Sequence, residues 1–453
     1  MKKRNEWVRK ALKRKKKEKD RGIVDFMMII YHFFEQLPQW INEMTDPRHV
    51  SYIQYQQADL TMLGILKNIC SIESMRQMEE KLNEEICIDT LRILSGNREL
   101  SEMPHYDTLN NYLERLSPEC LSGLRKKMVV SLIRSKQFYK HRLLGKYWKV
   151  ILDGTSLFYF KERHCENCLS TTHKSEDGKI QKRYYHKVLE AKLVLSDEIV
   201  ISIGTEFIEN ECEDVCKQDC EINAAKRLLS RLKKEYPKLR LCVQGDALYA
   251  AESIMGICQK NGWEYILTQK ESRQKVLADN YERLGEEKAF VENMGKEGGV
   301  GGYANGVGGY AGKRETMNVY EYRYTKREEG EERNIRFQWI TSIQVTKRNL
   351  EEIIHTGRGR WKIENEGFNN QKNILYQIEH LNSRNGNAMK NHYMLTQVAD
   401  ILMQLYLAWN PLVKEINQSI KNTSSRLLES FRRHTVTDED VFYIQRYTTV
   451  YLE

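Results

Sequence analysis

Apolar residues recur at intervals of three and four through Ile23–Phe34, Leu60–Ile69 and Ile86–Leu94. That spacing lines one face of a helix. Pro38, Pro47, Pro104 and Pro118 fall between these stretches and interrupt them. Asp107-Thr108 ahead of Leu109, Tyr112 and Leu113 has the form of a capped helix start. Residues 23–140 are therefore expected to be all-helical.

From residue 146 the pattern changes. Strands are expected at 147–153, 184–195, 199–208, 239–245 and 263–268. A helix fits 219–235, with Asp219 as its cap and Ile222, Ala225, Leu228, Leu229 and Leu232 on one face; another fits 251–260. Three strands followed by helix, strand, helix and strand make a mixed α/β sheet of five strands. That order is the ribonuclease-H-like arrangement. Residues 271–345 interrupt it with a charged stretch, a glycine-rich segment at Gly295–Gly312 expected to be a flexible loop, and a hairpin pairing Val319–Thr325 with Ile335–Ile343. Long helices are expected at 349–373 and 388–408.

The expected divisions are a basic arm at 1–22, a helical, DNA-binding domain at 23–140 and the first part of a ribonuclease-H-like catalytic core at 141–270. A β-strand and glycine-rich insertion follows at 271–345, then a helical completion of the core at 346–410 and a tail at 411–453.

Hydrophobic residues make up 40% of the 453, enough for a sizeable core. No apolar run approaches the roughly 18–20 residues needed to span a bilayer, so no membrane partner is expected. Ten cysteines scattered through a chain of this length, with no secretory leader, suit a reducing cytoplasm better than a disulfide framework. Charge is concentrated: residues 1–22 hold twelve basic and three acidic residues, an excess of nine that equals the net charge of the whole chain, +9. Lys13, Arg14, Lys15, Lys16 and Lys17 form its densest run. Such an arm neutralises phosphates and binds double-stranded DNA in a salt-dependent way, or else is a solvated tail.

Three acidic residues stand out against this frame. Asp153 ends the run Trp148-Lys149-Val150-Ile151-Leu152, Asp246 follows Leu239–Val243 and Gln244-Gly245, and Glu364 lies in the helical stretch Arg360-Trp361-Lys362-Ile363-Glu364. Carboxylates at the C-terminal ends of buried strands are exposed where α/β proteins place their chemistry. Taken singly, each has an ordinary structural reading: Asp153-Gly154 and Gly245-Asp246 suit turns, and Arg360 with Glu364 suits a helical ion pair. Together, two such strand ends and a helical carboxylate have the donor chemistry for two Mg²⁺ ions about 3.5–4 Å apart.

At this point the chain resembles the DDE transposases of bacterial insertion sequences. The likeness is to the superfamily with a Tyr-Arg-Glu-Lys signature around its third carboxylate and a β-rich insertion before it. It rests on Val150-Ile151-Leu152-Asp153-Gly154-Thr155, Gly245-Asp246-Ala247-Leu248-Tyr249 and Arg360-Trp361-Lys362-Ile363-Glu364-Asn365-Glu366-Gly367-Phe368, in that order. The chain departs from the signature at Gly357, where the family has Tyr, and at Gln371, where it has Lys. At about 100° per residue, Arg360, Glu364 and Gln371 share a helical face, Lys372 is one step round, and Glu366 is on the far side.

The resemblance implies a ribonuclease-H-like core, two Mg²⁺ (or Mn²⁺) ions on Asp153, Asp246 and Glu364, and phosphate contacts from Arg360 and Lys372. It also implies a homodimeric synaptic complex holding two DNA ends. Trp361 suits either a DNA contact or the core. The function implied is a transposase that binds terminal inverted repeats, cleaves them and transfers the strands. The alternatives are a degenerate transposase that only binds DNA and a host nuclease of the same fold.

His164-Cys165-Glu166-Asn167-Cys168 is a second constellation. The spacing of Cys165 and Cys168 suits structural zinc. His173, His186, Cys212, Cys216 and Cys220 are further candidate ligands, the last three set four apart as on a helical stripe.

Overall fold

The computed structural model describes residues 22–174, 178, 180–213, 215–309, 316–328, 331–410, 419–447 and 449–452. The arm carrying Lys13, Arg14, Lys15, Lys16 and Lys17 lies outside the described residues. The chain divides into two compact units, Met1–Gln137 with Asn369–Glu453, and Phe138–Phe368.

The first unit is helical. Seven α-helices cover Gly22–Phe34, Leu37–Asn42, Gln57–Ile69, Met75–Leu82, Glu85–Ser95, Tyr106–Arg115 and Pro118–Arg134 among the described residues. Gly386–Trp409, Ile420–Arg433 and Asp438–Tyr447 add to them from the far end of the chain. Gly386–Trp409 is buried on nearly every side, as Met394, Leu395, Val398, Ala399, Ile401 and Leu402 show. A helix apolar all round belongs inside a bundle, and this one packs on Gln57–Ile69, Tyr106–Arg115 and Pro118–Arg134. The expectation that 388–408 completes the catalytic core differs from this placement, because periodicity shows a buried helix but not its neighbours. Asn391 fixes the crossing by donating to the carbonyls of Leu113 and Leu116, at 2.8 and 2.7 Å. No described helix is long and apolar enough to cross a membrane.

The second unit is built on one sheet of ten strands. These are β1 (Trp148–Phe160), β2 (Leu169–Lys174), β3 (Ile180–Val194), β4 (Val200–Ile208), β5 (Leu241–Gly245), β6 (Glu264–Thr268), β7 (Ala289–Met294), β8 (Gly299–Gly308), β9 (Thr316–Glu328) and β10 (Glu331–Thr341). The order is β2-β3-β1-β5-β6-β10-β9-β8-β7, with β4 also on β3. Within it, β4-β3-β1-β5-β6 carries antiparallel pairs β3/β4 and β1/β3 and parallel pairs β1/β5 and β5/β6. That is the ribonuclease-H-like order, with helices Glu221–Glu235 and Glu252–Asn261 as the crossovers. The five-stranded core does not end at β6. β10 pairs antiparallel with it and carries the insertion strands on into the same sheet, which covers an otherwise open edge.

The glycine-rich segment is not a loop throughout. Gly299–Gly308 is strand β8, seated against β7 and β9. At Gly299, Gly301 and Gly302 neighbours come too close for a side chain. A Cβ on Gly299 would lie 2.5 Å from the Arg323 carbonyl oxygen, and one on Gly301 would strike Met294 and press on Leu350. Composition read as flexibility is here a packing requirement. The pairing of β9 with β10 extends further than expected, to Glu331 opposite Glu328. Its buried face, Tyr320, Tyr322 and Trp339, packs on Leu350, Ile353 and Ile354 of helix Leu350–Arg358.

A Cβ on Gly64 would lie 2.8 Å from a Leu395 methyl, whereas one on Gly123 would meet nothing within 4 Å. Gly64→Val should therefore cost about 1–3 kcal/mol by overpacking. Gly123→Ala, within helix Pro118–Arg134, should gain about 0.5–1 kcal/mol. Denaturant midpoints of the two variants check the contrast.

Candidate active site

β1 and β5 are parallel from Trp148 opposite Leu241 to Ile151 opposite Gln244. Asp153 and Asp246 each lie two residues past that last rung, so the register brings them to the same end of adjacent strands. β5 stops at Gly245 and turns, with Asp246 accepting the Leu248 N–H on Oδ1 at 2.8 Å and the Tyr249 N–H on its carbonyl at 3.1 Å. β1 does not stop at Asp153 as expected; it runs on to Phe160 because β3 continues to pair with it.

Glu364 reaches the region by a different route. The expected single helix over 349–373 is two pieces. Leu350–Arg358 is α-helical, and Gly359 closes it by donating to the His355 and Thr356 carbonyls. Ile363–Ile374 then forms wide π-type turns, ended by the Leu375 N–H bonding the Asn370 carbonyl at 2.9 Å. Such turns are rare and concentrate at functional positions. Ile363 and Phe368 anchor the start of this segment in a buried cluster with Ile151, Val194 and Val200. Glu364 follows Ile363 directly, and the Arg360 guanidinium donates to its Oε1 at 2.8 Å.

Glu364 and Glu221 are electrostatic neighbours of Asp153, but the carboxylate oxygens of Asp153, Asp246 and Glu364 do not all lie within 4.8 Å of one another. Burial pushes the Asp153 carboxyl up to about 6; Arg360 and the Gly154 N–H pull against it, and Glu364 and Glu221 add to it. Asp153 is thus held among other carboxylates with one guanidinium as partial relief. An oxygen-only donor set is the chemistry that suits a hard divalent cation.

Glu221 is the residue that sequence reading missed. It opens helix Glu221–Glu235, pairs with Lys187 of β3, and accepts the Tyr249 hydroxyl on Oε2 at 2.8 Å. A Cβ on Gly154 would lie 2.6 Å from the same Oε2, and one on Gly245 would lie 2.7 Å from the Tyr249 ring. Both glycines next to the aspartates are bare because Glu221 and Tyr249 lie over them. Burial, Glu221, Asp153 and Asp246 together raise the Tyr249 phenol well above its usual range, so it stays a hydrogen-bond donor. Tyr249 stands in the Gly245–Tyr249 motif and could have been singled out there. Glu221 had no local signal, since its partners are distant in sequence. The helix begins one residue after its cap, Cys220, so Asp219 is not the cap; its carboxylate pairs with Arg227 at 2.6 Å instead.

The signature departures have physical causes. A Cβ on Gly357 would lie 2.7 Å from the Trp339 ring and 2.8 Å from the Tyr320 hydroxyl, leaving no room for a tyrosine. Gln371 is fully buried in the helical unit and donates to Gln397 and Asp400 at 3.1 and 2.9 Å. The geometry that puts Gln371 on a face with Arg360 and Glu364 assumes α-helical turns, which this segment lacks. Lys372 is paired with Glu379 at 2.6 Å. Trp361 is 53% exposed and its ring lies 5.9 Å from the Arg360 guanidinium, so it is not a core residue. Cys165 and Cys168 are together, with His164 and His186 beside them. Cys212, Cys216 and Cys220 are exposed and lie ahead of helix Glu221–Glu235 rather than along a helical stripe. The side chain of His173 lies outside the described residues.

Residues 207–399 match the family model described as "Transposase DDE domain", a span that includes Asp246 and Glu364 and begins beyond Asp153. No curated protein matches the chain. Among solved structures, the chain is similar to one titled "Cryo-EM structure of piggyBac transposase synaptic complex with hairpin DNA (SNHP)". The identity is 12% and the TM-score 0.40, over 93% of this chain and 84% of that one. A likeness that loose adds no weight of its own. The similarity to a DDE transposase domain thus covers residues 207–399, a little under half of the chain.

Proposed function

We propose that the chain binds the terminal inverted repeats of its own element, cleaves them and transfers the strands to target DNA, with Asp153, Asp246 and Glu364 as the catalytic carboxylates. One observation supports this most: Asp153 within β1 and Asp246 just past the end of β5 stand at matched register on adjacent parallel strands, and Ile363 and Phe368 of the Glu364 segment share a buried cluster with Ile151 of β1. The three carboxylates would hold Mg²⁺ or Mn²⁺, a pair of which supplies activation of a hydroxyl nucleophile and stabilisation of the leaving oxygen.

The remaining roles belong to the chain itself. Tyr249, held by Glu221, which is itself paired with Lys187, keeps the Asp246 turn folded over Gly245. Arg360 would exchange Glu364 for a DNA phosphate, which its planar fork binds in a bidentate way. Lys372 would do the same by leaving Glu379. The exposed Trp361 ring offers a stacking face for a base. The basic run from Lys13 to Lys17 would supply sequence-independent phosphate contacts. Two ends must be held at once, so the acting form is a homodimer.

On DNA carrying the flanking terminal repeats, with Mg²⁺, the wild type should cut. Asp153→Asn, Asp246→Asn and Glu364→Gln should bind and not cut; normal cutting by all three contradicts the assignment. Tyr249→Phe removes only an outer partner, so cleavage should fall about 10–100-fold with binding unchanged. Deleting residues 1–22 should flatten the dependence of log affinity on log salt by about 0.9 for each phosphate that the arm neutralises, as equilibrium binding at several salt concentrations will show.

A further inference from the structure

Beyond the β1 strand that carries Asp153, four metal-ligating side chains converge. One ligand atom from each of His164, Cys165, Cys168 and His186 lies within 4.8 Å of every other, and among the described residues no other such group of three or more histidine, cysteine or acidic residues occurs. The Cys165 and Cys168 sulfurs are 3.6 Å apart, and each is 3.4 Å from His186 Nε2. In a tetrahedral zinc site the Zn–S and Zn–N bonds of about 2.3 and 2.0–2.1 Å set neighbouring sulfurs about 3.8 Å apart and sulfur and nitrogen about 3.6 Å apart. The three separations fall within about 0.2 Å of those values.

The surroundings match a metal site as well. His186 turns Nε2 to the sulfurs and Nδ1 toward the Glu209 carboxylate, 3.9 Å away. That is the arrangement by which an outer carboxylate orients a ligating imidazole. Phe160 stacks on His164 with ring centroids 4.6 Å apart, and Phe158 and Phe160 flank His186, forming an apolar wall. Backbone ties fix the loop carrying the sulfurs: Asn210 donates to the Cys168 carbonyl at 3.0 Å and takes its own N–H bond to the Asn167 carbonyl at 3.1 Å. Gln218 accepts from the Ser170 N–H and donates to its carbonyl. These ties draw Asn210 and Gln218 onto the loop from outside while Cys212, Cys216 and Cys220 stay exposed.

We infer that His164, Cys165, Cys168 and His186 form a closed structural zinc site that fastens the end of β1 to β3 at the root of the β2–β3 hairpin. Two thiolates and two imidazoles in tetrahedral reach select zinc, whereas Asp153, Asp246 and Glu364 offer only oxygen. Four protein ligands leave no open position, so the role is structural rather than catalytic.

The test is metal content in the full-length protein purified under reducing conditions, read by elemental analysis without DNA. One zinc per chain is expected. Cobalt exchanged into the site should give the visible bands of a tetrahedral thiolate complex. His164→Ala and Cys165→Ser should lose the metal. His164→Cys should retain it, because three cysteines and one histidine also make a zinc set. The triple variant Cys212→Ser, Cys216→Ser, Cys220→Ser should retain it too, as should Asp153→Asn, which separates this site from the cleavage centre. Wild-type protein without zinc and without cobalt bands, a Cys165–Cys168 disulfide in that reduced protein, or a triple cysteine variant devoid of zinc would each overturn the inference.

Discussion

The parallel pairing of β1 with β5 is the constraint from which the site follows. Four rungs, Trp148 to Ile151 on one strand and Leu241 to Gln244 on the other, fix the register. In a sheet a slip of one residue would turn every side chain to the opposite face. The buried residues on both strands make that costly, since Val150, Ile151, Leu241 and Val243 are all inside. The apolar runs therefore hold Asp153 and Asp246 abreast without any contact of their own. The third carboxylate depends on the same strand, because Ile363 packs on Ile151 and carries Glu364 with it. Truncating a buried isoleucine such as Ile363 typically costs about 2–5 kcal/mol of folding stability.

Concentrating acids at a sheet end works against the fold, and the chain shows how the conflict is contained. Asp153 is pushed up to about 6, with burial the largest cause. Arg360 offsets part of that repulsion from the Glu364 side, and Lys187 does so for Glu221. Glu190, opposite Asp153 in the β1–β3 register, is buried but held by hydroxyls from Ser202 and Thr205 at 2.6 and 2.5 Å. It is thus a satisfied structural carboxylate rather than another member of the open cluster. A local excess of negative charge that protein groups only partly relieve is the condition under which a divalent cation is bound.

The parts legible in the sequence are those written in local order. Apolar runs ending in an acid mark the positions of Asp153 and Asp246, and the succession of strands and helices marks the core topology. What cannot be read is set by partners far along the chain. Glu221 matters because Gly154 and Tyr249 leave and fill space beneath it. β8 has the composition of a flexible loop because close packing against Arg323 and Met294 demands the residue that loops also favour. Counting α-helical turns puts Gln371 on the site face, where the backbone in fact takes wider ones. Helix Gly386–Trp409 finds neighbours other than those expected, because an all-round apolar pattern says only that something covers it. Cysteine spacing singles out Cys165 and Cys168, but the fold, not spacing, excludes Cys212, Cys216 and Cys220.

The central claim is that Asp153, Asp246 and Glu364 act as one cation-binding cluster. Anomalous scattering from crystals soaked in Mn²⁺ addresses it without relying on activity. Density between the Asp153 and Asp246 carboxylates, with Glu364 as a further ligand and none in Asp153→Asn, is the predicted result. Mn²⁺ bound elsewhere, with these three carboxylates bare at saturating metal, would contradict it.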